Sequence, residues 1–282
     1  MTDSLLVATY QKLIYYDGKQ CNVILNNPDN IYSITWNQEN IFVITGKHIL
    51  VYDDIWQLQE TISFWDTGLD PHPHQAIWHN GLFIVLSGYN YIAHYVGAYT
   101  SIIEWLGKYC KSNDDPHINS IWYSNHRFFV VEHWRDKLPK KIRIFDEMWK
   151  WQCAIDVTKE LFDDRWNGIH NVYVENEKMY TLGPRRIITL GEDQDTAKTD
   201  FDIPWPFYFR GLARTDSQFY VGVSKHNKLR ENRASGESAI LVLDDNLNQE
   251  NLIILNDTGQ VHDVRAMVDD KAHNGIDCPF KG

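Results

Sequence analysis

The chain has 282 residues and a mass of 33.1 kDa, enough for one large core or two small ones. Its 27 Lys and Arg against 38 Asp and Glu give a formal charge of -11, which argues against general affinity for nucleic acid or an anionic membrane surface. No apolar run approaches the ~18 residues of a spanning helix, and eleven Trp within a 13% aromatic content point to sheets packed on sheets.

The first residues, Met1-Thr2-Asp3-Ser4-Leu5-Leu6-Val7, lack the basic segment and long apolar run of a secretory signal. Cys21, Cys110, Cys153 and Cys278 are scattered and form no Cys-x-x-Cys pair. Both features lead to the expectation of a cytoplasmic protein with reduced thiols. Strands are expected at 5–9, 12–17 and 21–25, then at 31–36, 41–45, 48–53 and 58–64.

Next comes Asp70-Pro71-His72-Pro73-His74-Gln75-Ala76-Ile77-Trp78-His79-Asn80, followed by the apolar run Phe83-Ile84-Val85-Leu86. It reads as strand, tight polar turn, strand. The pattern recurs in Asp115-Pro116-His117-Ile118-Asn119-Ser120-Ile121-Trp122-Tyr123-Ser124-Asn125, before Phe128-Phe129-Val130-Val131. A third copy is Gly168-Ile169-His170-Asn171-Val172-Tyr173-Val174-Glu175-Asn176, and weaker copies start near Tyr32, Arg210 and His262. Aligned, Tyr32, His74, Asn119, His170, Arg210 and His262 are equivalent and recur at ~40–50 residues, a spacing typical of solenoids and propellers. A second signature closes the third strand of a repeat with an acidic turn: Tyr52-Asp53-Asp54, Phe145-Asp146-Glu147, Leu243-Asp244-Asp245 and Tyr16-Asp17-Gly18. Asp and Gly suit a tight hairpin there.

Each repeat holds four short strands, A to D. The second repeat runs from 74 to about 105 and the third from 117 to about 155. The fourth spans 169–203 and the fifth 208–254, with a short helical insertion expected at 156–167. After Gly259 one strand remains, at 261–268, and before Tyr32 there are three. One plus three completes a sixth four-stranded unit from both ends of the chain, which removes the two sheet edges an open array would expose. The expected fold is therefore all-β, a six-bladed β-propeller in a single domain over 1–282. Residues 1–28 and 259–268 form the closing blade, and 269–282 a polar tail. On these motifs the chain resembles the β-propeller superfamily over nearly its whole length.

In propellers as a class, strand A lines the central channel, and the D-to-A and B-to-C loops share the face that commonly binds ligands. The resemblance implies that His72, His74, His117, Asn119, His170, Arg210 and His262 converge on that face. His48, Tyr89, His133, Arg185 and His226 would reach it from B-to-C loops. Imidazoles from several blades suit a divalent cation such as Fe, Zn or Mn. The expected ligands are His72, His74, His117, His170 and His262, with Asn119, Asn171 and Asp263 orienting them. Carotenoid-cleaving oxygenases are similar in principle, since they hold iron with histidines from several blades. The six-bladed lactonases use a carboxylate-and-Asn calcium site, and this chain lacks their Glu-Gly-Pro start.

Asp115, in a D-to-A connection, is a candidate general acid or base beside the substrate, with Arg210 and His133 as further catalytic candidates. Asn119, Tyr89, Arg135, Arg185, His226 and Arg230 are candidate substrate-binding residues. Several belong to basic loops able to steer an anion despite the negative net charge. The expected function is a metal-dependent enzyme, a lyase, hydrolase or oxygenase, acting on a small anionic substrate. The competing expectation is a non-catalytic propeller binding a glycan, peptide or protein through Trp134, Trp166, Trp205 and Tyr89. On that second view the histidines are repeat-consensus residues that tie blades together. A monomer with neither nucleic acid nor membrane as partner is expected in both cases.

Overall fold

In the computed structural model the strands form six four-stranded antiparallel sheets, the architecture of a six-bladed β-propeller. The structure describes residues 3–64, 72–87, 91–96, 99–104, 117–133, 139–158, 168–176, 178–191, 196–203, 207–225, 230–268 and 278–280. The first three strands are β1 (Leu5–Thr9), β2 (Lys12–Tyr16) and β3 (Cys21–Asn26). Blade one is β4 (Ile31–Trp36), β5 (Ile41–Thr45), β6 (His48–Tyr52) and β7 (Leu58–Ser63). Blade two is β8 (Pro73–Trp78), β9 (Leu82–Leu86), β10 (Tyr91–Val96) and β11 (Tyr99–Glu104). Blade three is β12 (Ile118–Ser124), β13 (Arg127–Glu132), β14 (Lys141–Asp146) and β15 (Trp151–Asp156). Blade four is β16 (His170–Glu175), β17 (Lys178–Gly183), β18 (Arg186–Leu190) and β19 (Thr196–Asp200). Blade five is β20 (Phe207–Arg214), β21 (Phe219–Lys225), β22 (Ser238–Leu243) and β23 (Gln249–Leu255), and β24 (Val261–Ala266) follows it.

The last sheet has the order β24-β1-β2-β3, so one strand from the end of the chain and three from its start make the closing blade. Leu5 pairs with Ala266, Leu6 with Arg265 and Val7 with Val264. The chain divides into two compact units. Unit 1, residues 1–66 with 203–282, holds the closing blade, blade one and blade five; unit 2, residues 67–202, holds blades two, three and four.

Burial follows strand position. β1, β5 and β9 read LLVAT, IFVIT and LFIVL and are buried at every residue. Near-continuous apolar runs of this kind belong to strands covered on both faces. The outer strands β7 and β15 read LQETIS and WQCAID and are mostly exposed. The acidic signature is a structural turn. Asp53 Oδ1 accepts from Ile55 N at 3.1 Å and Gln57 N at 2.8 Å, and Asp146 Oδ1 from Met148 N at 3.0 Å and Lys150 N at 2.8 Å. Asp244 Oδ1 does the same with Asn246 N at 2.9 Å and Asn248 N at 2.7 Å. The carboxylate of each turn thus satisfies amides that the hairpin leaves unpaired. The tail is not wholly polar surface: Cys278 is buried, and Phe280 packs edge-on against Tyr15 at 5.4 Å and Trp56 at 5.5 Å.

Every A strand carries a β-bulge near its start. The ladder slips between Ile31 and Ser33, Pro73 and Ala76, Ile118 and Ser120, and His170 and Val172. It slips again between Phe209 and Leu212, and between Val261 and Asp263. The residues lifted out of register are Tyr32, His74-Gln75, Asn119, Asn171, Arg210-Gly211 and His262. Blade four corrects the sequence alignment by one place: Asn171, not His170, is the counterpart of Asn119. The cause is the pairing of His170 with Leu182, which matches that of Ile118 with Glu132.

The bulges serve the seams between blades. In unit 2, Gln75 Oε1 accepts from Ile121 N at 3.2 Å, Ser120 Oγ from Asn171 N at 2.8 Å, and Asn119 Nδ2 donates to Ile169 O at 2.9 Å. In unit 1, Asp263 Oδ2 accepts from Ser33 Oγ at 2.6 Å and Ile34 N at 3.2 Å. Arg265 lies 3.2 Å from the same oxygen and donates through Nε to Ile34 O at 3.1 Å. Gln75, Ser120, Asp263 and Arg265 are all buried, so each bond replaces one that water would otherwise supply.

Two outcomes test this account. Deleting residues 1–10 removes β1 from between β24 and β2, so the truncated chain should lose cooperative unfolding in a thermal melt; a melt like that of the intact chain would refute the closure. Replacing Arg265 with Met strands the Asp263 carboxylate in the interior, and denaturant titration should show a loss of about 3–5 kcal/mol.

Candidate functional site

Each unit gathers its polar residues at the same end of its blades, where A strands begin and B-to-C loops turn. In unit 1 the assembly rests on the blade-five bulge. Gly211 has φ 87°, and a Cβ there would lie 2.9 Å from Val264 Cγ2 and 3.0 Å from the Asp263 carbonyl carbon. Glycine therefore meets two demands at that point, a left-handed backbone and close approach to β24. A Cβ on Gly222 would fall 2.1 Å from Arg210 O and 2.5 Å from Val261 Cγ1. Arg210 is thereby fixed beside the segment that carries His262. Arg233, in the B-to-C loop, is anchored to the same segment because Gln260 N donates to its carbonyl at 2.9 Å.

His262 is buried. Its Nδ1 lies 2.7 Å from Ile31 O. A carbonyl only accepts, so Nδ1 carries the proton and the lone pair of the neutral ring is on Nε2. Tyr32 stacks on the imidazole with centroids 5.1 Å apart, and Tyr10 meets it edge-on at 5.8 Å. Burial first, and then the guanidinium groups of Arg210 and Arg233, hold the His262 pKa well below its ordinary 6.5. Burial also lowers Arg210 against the opposing pull of Tyr208 and Tyr32, and raises the Tyr208 hydroxyl against Arg210 and Arg233. His262 is thus buried and neutral, and the two guanidinium groups beside it are half-buried, with the Asp263 carboxylate also acting on Arg210.

Unit 2 presents imidazoles instead. His74 and His117 lie 5.2 Å apart by ring centroid, His117 and His133 5.5 Å, and His133 and His170 4.6 Å. His133 Nδ1 is 3.0 Å from Ile169 O and so bears a proton. His170 Nδ1 is 3.1 Å from Asn119 Nδ2, which also bonds Ile169 O; with the amide nitrogen donating, Nδ1 is the acceptor and the neutral ring carries its proton on Nε2. These histidines brace the seam between blades three and four as well as lining one end of it.

The sequence-predicted residues are thus divided between the two units. Arg210 and His262 meet in unit 1; His74, His117, His133, His170 and Asn119 meet in unit 2. His72 is exposed, and its carbonyl accepts from Ser87 N at 2.9 Å. His48 lies 3.8 Å from Asp29. Arg185 is half-buried in the turn between β17 and β18, where its carbonyl accepts from Phe201 N at 3.1 Å. Asp115, Tyr89, Arg135 and His226, with Trp134, Trp166 and Trp205, lie outside the described residues, as does most of the insertion expected at 156–167. Arg230 begins a short 3-10 helix, Arg230–Arg233. Among the described residues no group of three or more His, Cys, Asp or Glu side chains is arranged to hold a metal ion. Tyr10 and Tyr208 had no sequence signal; Tyr32 had one, as the blade-one counterpart of the histidines.

Two features lie away from these clusters. At the opposite strand ends of unit 2, His79 stacks on Tyr123 at 3.5 Å, and the Tyr123 hydroxyl donates to Glu147. In unit 1 a groove of about 430 Å³ runs between β3 and β23, lined by residues including Cys21, Val23, Leu252 and Ile254. None of the cluster residues lines it.

No protein-family profile matches the chain, and no curated protein matches it in sequence. Solved structures do resemble it. A protein of unknown function from Bacteroides caccae superposes with a TM-score of 0.67 at 9% identity, over 94% of this chain and 98% of its own. Apo AztD from Citrobacter koseri gives 0.54 at 10% identity, over 93% and 97%. A functionally unknown protein from Desulfotomaculum acetoxidans gives 0.55 at 9%, over 92% and 84%. At such identities the likeness extends to the fold.

The neutral His262 predicts an acid-side loss of stability. Its folded pKa lies below 6.5, so between that value and 6.5 the unfolded chain binds the extra proton. Stability is thus fully present above pH 6.5 and falls as pH drops below it, by up to about 1.4 kcal/mol per pH unit from this group. His79 and His94, also lowered by burial, act in the same direction. Urea titrations at pH 7.5 and 5.5 should show the decline, and His262→Gln should make it shallower.

Proposed function

We propose that the protein is a ligand-binding β-propeller that takes a small anion at the cluster of Arg210, Arg233 and His262. The observation that carries this reading is the blade-five bulge, which lifts Arg210 out of the ladder beside Gly211 and next to the segment bearing His262. Two half-buried guanidinium groups that act on the same buried imidazole favour a negative occupant, because a shared anion relieves their mutual repulsion. Arg is suited to this task since its fork binds carboxylate or phosphate through two bonds.

The same charge works against a His262-ligated divalent cation, which would enter beside those two groups. The metal-dependent reaction expected from the histidine count thus has less support than binding. The basic groups of the B-to-C loops fit an approach steered by charge within an acidic protein.

Calorimetric titration with citrate at several salt concentrations tests the reading. After a melting curve has confirmed that it folds, Arg210→Gln, which keeps an amide able to bond Tyr208 in place of the guanidinium, is titrated in the same way. It should weaken citrate binding tenfold or more and flatten its salt dependence. Unaltered binding by that variant would overturn the proposal.

A further inference from the structure

A narrower ligand class follows from the tautomer of His262, and it rests on the anion-binding reading above. The Nδ1–H of this ring is committed to Ile31 O at 2.7 Å, and no described residue hydrogen-bonds to Nε2. The imidazole is 5% exposed. Around it stand Arg210, Arg233 and Asp263 as charged groups, with Tyr10 and Tyr32 against the ring. The Asp263 carboxylate is turned to Ser33, Ile34 and Arg265. Burial and the two guanidinium groups keep the ring neutral. Nε2 is accordingly an acceptor set among donors, and it stays an acceptor across the ordinary pH range.

An anion without an O–H, such as sulfate or a simple carboxylate, cannot satisfy both parts of such a site. Its oxygens accept from guanidinium but meet the Nε2 lone pair as acceptor against acceptor, leaving a buried nitrogen unpaired at a cost. A ligand with a hydroxyl beside its carboxylate satisfies both, since the acid accepts while the hydroxyl donates. Sites built to bond a hydroxyl reject analogues that lack it far more strongly than apolar pockets reject an extra methylene. We propose that the cluster recognises a hydroxy acid of the sugar-acid type, with its carboxylate on Arg210 and Arg233 and one of its hydroxyls donating to His262 Nε2. The bordering rings of Tyr10 and Tyr32 suit the C–H edges of such a ligand.

The test uses the intact protein and three probes of similar size in calorimetry at one ionic strength: glucuronate, cyclohexanecarboxylate and glucose. Glucuronate should bind at least tenfold more tightly than cyclohexanecarboxylate, and glucose should show no measurable binding. His262→Phe keeps an aromatic ring against Tyr32 and removes Nε2, so it should abolish the preference between the two acids. Equal binding of both acids to the parent protein would overturn the hydroxy-acid assignment while leaving the anion reading intact. Binding of neither acid, or of glucose as tightly as glucuronate, would overturn both.

Discussion

The structure depends on a single backbone device, the bulge that opens every A strand. A regular ladder would point alternate side chains to the two faces of the blade, and both faces of an inner strand are covered by apolar neighbours. No polar side chain fits there without a partner. The extra residue breaks the alternation locally and re-aims one or two side chains along the seam between neighbouring blades. Gln75, Ser120 and Asp263 use that freedom to take an amide of the adjacent A strand. A blade packs on its neighbour through apolar contacts without direction, so a few directed bonds at the inner end determine its alignment.

That device also explains why polar side chains collect at one end of the blades. In unit 1 the collected groups are two arginines, three tyrosines and a histidine whose proton is fixed by a carbonyl. In unit 2 they are four imidazoles and an asparagine whose amide bonds both a carbonyl and a ring nitrogen. The two sets differ in charge and in what they offer a ligand. One sets two guanidinium groups beside a single neutral imidazole; in the other, His133 Nδ1 donates to Ile169 O and His170 Nδ1 accepts from Asn119.

The fold was legible in the sequence because a propeller repeats its own instructions. Strand, turn and strand return at a regular interval, and counting strands at the two ends predicts the closing blade that pairs Leu5 with Ala266. The acidic turn was legible too, although its physical role, a carboxylate capping two amides, shows only in the folded hairpin. The site was less so. Histidine spacing pointed to the starts of the A strands but could not tell which ring nitrogens are bound to a carbonyl. The choice between Asn171 and His170 turned on one residue of register, which no repeat alignment at this level of divergence resolves. Tyr208 and Tyr10 occupy the repeat positions that His117 and His133 hold in blade three, but as tyrosines they fall outside the histidine pattern that the sequence offered.

Blade five shows how a repeat is adapted. Where other A strands place Gln75, Ser120 or Asp263 to hold the next blade, blade five has Gly211, which has no side chain to hold anything. The seam bond is still made, but from the neighbouring strand: Val261 N donates to Ser224 Oγ at 2.8 Å, and Ser224 belongs to β21. With the seam held from β21, the bulge is released from that duty. Glycine lets the backbone come close to Asp263 and Val264, and Arg210 stands where a seam residue would otherwise begin. A repeat position that several blades give to a seam bond reports on assembly. One that changes while its structural duty moves elsewhere reports on a different demand, and here the incoming residue is a guanidinium placed beside a neutral, buried imidazole.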